Sequence, residues 1–147
     1  MKEFIIKNEE ETRAFGHDLA KSLKKGSVIA MIGDLGAGKT TLTKYIAEGL
    51  GISQTITSPT FTIVQEYKDG RLPLYHFDVY RVNDPDELFE IGCEEYFYGD
   101  GVVIVEWADL IYDMLPEHSV VLKIEYGDDE SSRTYRICEK EELACTF

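Results

Sequence analysis

A three-layer α/β sandwich around a mixed, largely parallel central sheet, with β-hairpins, is predicted by three observations. "SVIAMI" (27–32) and "VVIVE" (102–106) are unbroken apolar runs of strand length, the pattern of strands covered on both faces. A glycine-rich loop follows the first run and opens a segment of helical spacing. Strand-like and helix-like segments alternate from end to end without a repeat, a low-complexity tract or a linker. The 147 residues suit one domain over 1–147, and hydrophobic and aromatic fractions of 44% and 12% suit a packed core.

Each element has its own warrant. "EFIIK" reads as a first strand. Asn8 and Glu11 have capping-box spacing ahead of Phe15, Leu19 and Leu23, and Gly26 stops that helix. After "SVIAMI" and its loop, a helix is expected from about Lys39 to Leu50, with Gly51 past its end. "FTIVQEY" and "LPLYHFDVY" flank Asp69-Gly70 and are expected to form a β-hairpin. Asp84, Pro85 and Glu87 have the order of cap, first helical residue and capping-box acid. "VVIVE" is the second buried strand, and a short helix runs towards Leu115, before Pro116. "VVLKIEY" and "RTYRICE" close the chain as a hairpin, and "KEELACTF" reads as a solvated acidic tail.

The bulk numbers exclude several classes. No apolar run approaches the roughly 20 residues that span a bilayer, and the N-terminus carries acids where a signal peptide needs apolar residues. A cytoplasmic location is expected. Cys93, Cys138 and Cys145 lack metal-ligand spacing and suit a reducing compartment. A net charge of -13 repels a phosphate backbone, so broad direct contact with nucleic acid is disfavoured. An anionic ligand must therefore be captured by a local device.

Such a device is present. Gly33-Asp34-Leu35-Gly36-Ala37-Gly38-Lys39-Thr40 fits G-x-x-x-x-G-K-[ST], the phosphate-binding loop of P-loop NTPases, in the required setting of strand, loop and helix. Gly36 and Gly38 let the backbone turn its N–H groups towards phosphate oxygens, and the helix dipole adds to the attraction. Lys39 would reach the β- and γ-phosphates, Thr40 would bind Mg²⁺, and Thr41 could donate a further hydrogen bond.

Phosphoryl transfer also needs a carboxylate on the metal side, and two candidates stand at strand ends. Glu106 ends "VVIVE" and Asp78 ends "LYHFD". Lys39, Asp78 and Glu106 are thus the candidate catalytic set. Ser58, Pro59 and Thr60 suit a loop that closes on a γ-phosphate, or an ordinary loop entering a strand. Trp107 is either core packing or a neighbour of the nucleotide. His76 reads as a packed or surface histidine, and Arg81 as a possible partner for the acids that follow it.

With "GDLGAGKTT", "SPTF", "HFDVYR" and "EW" in this order, the chain resembles the TsaE family of bacterial P-loop ATPases over nearly its whole length. The resemblance implies an ATPase of tRNA threonylcarbamoyladenosine synthesis, acting at the adenosine next to the anticodon. It implies that Gly36 to Thr41 hold the ATP phosphates, that Thr40 and Glu106 serve Mg²⁺, and that Asp78 acts at or near the metal. Ser58, Pro59 and Thr60 match the family's switch-like loop, and Trp107 its E-W pair. Glu9 and Arg133 fall where the family approaches base and ribose. The implied partner is a TsaB–TsaD-like transferase pair, with tRNA reached only through it, which agrees with the negative charge. Five arginines show no obvious built-in arginine finger, so slow hydrolysis alone and stimulation by partners are expected. A GTPase would need N-K-x-D and D-x-x-G, which are absent. A small-molecule kinase would need an arginine-bearing lid. A nucleotide-sensing P-loop module without catalysis stays open as an alternative.

Overall fold

A computed structural model describes residues 2–34 and 36–140. Strands β1 (Lys2–Ile6), β2 (Val28–Gly33), β3 (Val64–Tyr67), β4 (Leu74–Asp78), β5 (Val102–Glu106), β6 (Val120–Tyr126) and β7 (Arg133–Glu139) form one sheet. Its order among the described residues is β1-β7-β6-β2-β5-β4-β3. The central strands β6, β2, β5 and β4 run parallel, while β7, β1 and β3 are antiparallel to their neighbours. The fold is the α/β sandwich expected.

The alternation of strand side chains divides the core in two. Ile29 and Met31 of β2 join Leu42, Ile46 and Ala20 beneath the helices α1 (Glu9–Ser22) and α2 (Lys39–Gly49). Val28 and Ala30 face the other way, with Val103, Val105, Phe77 and Leu88. That second layer is covered by α3 (Asp86–Glu90), α4 (Cys93–Phe97) and a 3₁₀ segment, Ala108–Met114. Helix α1 is capped as its sequence demands: Asn8 Oδ1 accepts from the Glu11 N–H at 2.9 Å, and Glu11 reaches back to the Lys7 N–H at 2.9 Å.

The hairpin expected around Asp69-Gly70 forms, with β3 antiparallel to β4, although its strands shrink to Val64–Tyr67 and Leu74–Asp78. Asp69 also accepts from the Ser53 N–H and hydroxyl at 3.0 and 2.7 Å, tying the turn to the chain leaving α2. Three expectations change. The helix begun at Asp84-Pro85 splits into α3 and α4, because Gly92 takes a left-handed φ of 76° between them. The first helix ends at Ser22, before Gly26, with the Leu23 N–H bonded to the Ala20 carbonyl at 3.2 Å. Lys140, first residue of the expected solvated tail, is buried and donates to the Leu115 carbonyl at 2.7 Å. The rest of that tail, Cys145 included, lies outside the described residues. Cys93 and Cys138 are buried.

Candidate functional site

The site lies where β2, β5 and β4 end together. Parallel pairing of β4 with β5 sets Asp78 beside Glu106, and pairing of β2 with β5 sets Met31 beside Glu106. The carboxyl ends of parallel strands thus deliver two carboxylates and the glycine-rich loop to one edge of the sheet, the usual place for a ligand in an open α/β sheet. Gly36 and Gly38 have φ values of 78° and 106°, conformations open to glycine and strained for other residues. Gly38 is the N-cap of α2, and no acidic side chain occupies the first turn. The first N–H groups of the helix are consequently free to meet an anion.

A cavity of about 430 Å³ opens there, lined by Gly36, Gly38, Lys39, Thr40, Thr41, Ser58, Thr60, Asp78, Tyr80, Arg81, Glu106 and Trp107. On its floor the Thr40 hydroxyl donates to the Glu106 carboxylate, 2.9 and 3.1 Å from its two oxygens. Glu106 also accepts from His76 Nε2, and both residues are buried. A carboxylate only accepts, so the imidazole carries a hydrogen on Nε2. His76 Nδ1 has no hydrogen-bond partner among the described residues. Asp78 is claimed from another direction: Ser58 and Thr60 hydroxyls donate to Oδ2 at 3.1 and 3.2 Å, and the Tyr80 N–H donates to Oδ1 at 3.0 Å. The loop bearing Ser58 and Thr60 leaves through Ile63, whose φ of 70° is costly for a β-branched residue.

Lys39 folds back onto the loop that precedes it. Its ammonium donates to the carbonyls of Gly33 and Asp34 and lies 3.9 Å from the Trp107 ring centroid. Burial pushes the ammonium below the ordinary lysine range, and the charges of Glu106 and Asp78 pull it back up. Trp107, in the left-handed region at φ 61°, also packs against the Tyr80 ring, tilted by 40° with centroids 4.7 Å apart.

Glu9 and Arg133 stand outside this cavity. They line a second one of about 340 Å³ on the neighbouring flank of the loop, which shares Gly36, Gly38 and Thr41 with the first and adds Ala37. Arg133 donates to the Ala37 carbonyl at 3.0 Å, and Glu9 accepts from Tyr45 at 2.6 Å. Gly33 ends β2 and comes so close to β6 that a Cβ there would lie 2.8 Å from the Ile124 carbonyl oxygen.

Two residues were undervalued from sequence. His76 is neither idle packing nor a surface residue, since its ring holds Glu106. The available signal was a histidine among apolar strand residues, two residues before an acid on the same face. Arg81 makes no ion pair with the acids that follow it among the described residues. It lines the cavity, its guanidinium 4.5 Å from the Phe61 ring centroid.

Thr40, Glu106 and Asp78 are oxygen donors, the type a hard divalent cation takes together with phosphate oxygens. Two adjacent buried carboxylates repel each other, and a divalent cation relieves that repulsion. The residues fit Mg²⁺, although no cluster of three His, Cys, Asp or Glu among the described residues would hold a metal by itself.

Parallel core, glycine-rich loop at a helix N-terminus and acids at neighbouring strand ends define a P-loop-like protein of the nucleotide-binding class. Residues 6–138 match the family described as threonylcarbamoyl adenosine biosynthesis protein TsaE. The chain belongs to the TsaE family. It is 50% identical over 140 residues to the tRNA threonylcarbamoyladenosine biosynthesis protein TsaE of Bacillus subtilis strain 168, covering 94% of this chain and 87% of that one. The protein of that name from Treponema pallidum strain Nichols is 42% identical over 120 residues, covering 82% and 88%. A crystal structure of Bacillus subtilis YdiB matches with a TM-score of 0.81 at 42% identity, over 97% of this chain and 90% of that chain. No helix among the described residues is long and apolar enough to cross a membrane.

Proposed function

We propose that this chain is the Mg²⁺-dependent ATP-binding and ATP-hydrolysing subunit of tRNA threonylcarbamoyladenosine synthesis. It acts on a TsaB–TsaD-like transferase pair, not on tRNA directly. The observation that carries the reading is the hydrogen bond from Thr40 to Glu106 at the mouth of the glycine-rich loop, with Asp78 alongside. A hydroxyl at the helix start and a strand-end carboxylate are the pair that P-loop hydrolases use for the metal. The membership of the family supports the pathway, and the net charge of -13 supports leaving tRNA to partners.

In this reading the N–H groups from Gly36 to Thr41 and the α2 dipole hold the phosphates. Lys39 exchanges the Gly33 and Asp34 carbonyls for phosphate oxygens. Thr40 and Glu106 hold Mg²⁺, with His76 fixing the Glu106 carboxylate and Asp78 close by. Bound Mg²⁺ would neutralise charge on the transferring phosphoryl group. Ser58 and Thr60, released from Asp78, are free to turn towards the γ-phosphate, and Asp78 or Glu106 then orients the attacking water. The flank cavity with Glu9 and Arg133 takes the ribose or base.

The test compares ATP, ADP, GTP and GDP by Trp107 fluorescence, then measures ATP hydrolysis with and without TsaB–TsaD. Adenine preference, slow basal turnover and stimulation by the pair are expected, with hydrolysis but not ATP binding lost in Glu106→Ala. Guanine preference, or Glu106→Ala turnover equal to that of the parent chain, overturns the assignment.

A further inference from the structure

The five arginines of this chain do not have equal freedom. Arg13 is paired with Glu48 at 2.6 Å, and Arg136 with Glu3 and Glu125 at 3.2 and 3.3 Å. Arg71 donates to the carbonyls of Ala20 and Leu23, and Arg133 to those of Ala37 and Glu130. Arg81 has no hydrogen-bond or ion-pair partner among the described residues, in a chain of net charge -13 with acids at 84, 86 and 87. Asp84, three residues on, accepts from the Asp86 N–H at 3.0 Å.

The backbone of Arg81 is nevertheless held in place. The turn after β4 closes with the Val82 N–H on the Val79 carbonyl at 3.1 Å, while Asp78 takes the Tyr80 N–H and the Tyr80 ring packs against Trp107. This brings Arg81 to the wall of the cavity that holds Lys39, Thr40, Asp78 and Glu106. Among the described residues its guanidinium rests on Phe61, which is 83% exposed and belongs to the loop whose Ser58 and Thr60 engage Asp78. A side chain stacked on an exposed ring can leave it at little cost, because such a contact is worth only about 0.5–1 kcal/mol.

We infer that Arg81 is a catalytic residue, an arginine supplied by this chain itself to the phosphoryl group in transfer. The inference rests on the ATPase reading above. In the reaction the water oxygen forms a bond to the γ-phosphorus, and the bond from that phosphorus to the β–γ bridging oxygen breaks. The electron pair stays with ADP, and the displaced water proton leaves with inorganic phosphate. Arg81 faces the charge gathering on the γ oxygens and the bridging oxygen, where a planar fork of donors has most effect. Resting on Phe61, it stands away from the phosphate loop, and slow turnover without partners is the expected consequence.

The experiment uses the full chain with Mg²⁺·ATP and TsaB–TsaD, under single-turnover conditions, for the parent, Arg81→Ala and Arg81→Lys. ATP affinity and affinity for the pair are measured separately. Arg81→Ala is expected to slow the stimulated rate about 10³-fold, in the range of supplied arginines, with both affinities within about threefold. Arg81→Lys should recover little, since an ammonium lacks the fork, and free guanidinium ion should partly restore Arg81→Ala. A stimulated rate within threefold of the parent overturns the inference and leaves the ATPase reading standing. A loss of ATP or partner affinity as large as the loss of rate also overturns it, as ground-state binding or docking. A parent chain without hydrolysis under any condition overturns the ATPase reading and this inference together.

Discussion

The contact between His76 and Glu106 can be measured as a coupling energy. His76→Leu takes the Nε2 donor from a carboxylate that is buried to 3% exposure and leaves it only the Thr40 hydroxyl. Glu106→Met strands the Nε2 hydrogen of a fully buried ring whose Nδ1 already lacks a partner among the described residues. Hydrogen bonds to charged groups contribute about 1.5–3 kcal/mol, and stranding one partner costs at least as much. Each single variant is therefore expected to lose about 2–3 kcal/mol, or roughly 4–12 °C in Tm for a chain of this size. The double variant places two apolar side chains together and should lose less than the sum by about 1.5–3 kcal/mol. Loss of the Thr40 contact and relief of repulsion with Asp78 accompany Glu106→Met in both single and double variants, so they cancel from the cycle. Urea unfolding of the four proteins, with Mg²⁺ and nucleotide omitted, gives the coupling directly. A coupling below about 0.5 kcal/mol, the range of independent sites, would refute the claim that His76 holds Glu106.

Two further perturbations test the frame around the site. Gly49→Ala adds a Cβ that would lie 2.6 Å from the Ala20 Cβ and 3.1 Å from the His17 Cα, so α1 and α2 must separate. The overpacking, about 1–3 kcal/mol, is expected to outweigh a helix-propensity gain of about 1 kcal/mol and lower the urea midpoint; a raised midpoint would contradict the close packing. Hydrogen bonds from Ser53 hold the Asp69 carboxyl below its ordinary range, and those from Ser131 do the same for Asp129. Their stabilisation is present above the ordinary aspartate range and is lost as pH falls through it to the folded-state values. Urea midpoints between about pH 7 and pH 3 should thus fall less steeply in Asp69→Asn than in the parent, and parallel slopes would refute the assignment.

How much of this was legible in the sequence depended on distance along the chain. The phosphate cradle is eight consecutive residues, and its glycines, lysine and threonine act through local backbone geometry and one helix start. The cap at Asn8, the buried strands β2 and β5 and the closing hairpin of β6 and β7 were readable for the same reason. The hairpin around Asp69-Gly70 was readable too, but no local signal showed that Asp69 also bonds to Ser53, 16 residues away.

Residue types alone named Asp78 and Glu106 as acids at strand ends, yet nothing in their spacing said that β4 and β5 are neighbours in register. That adjacency follows from crossover connections and sheet order, which hydrophobic period does not encode. From it come the pairing of the two carboxylates and the grip of His76 on Glu106. The turn after β4 then places Arg81 on the cavity wall. The sequence by itself thus determined a chain able to hold phosphate and belonging to an α/β fold. Only the tertiary structure decided which carboxylate Thr40 meets, what fixes it and which arginine rests on Phe61 at the cavity wall, because those partners lie from 20 to 66 residues apart along the chain.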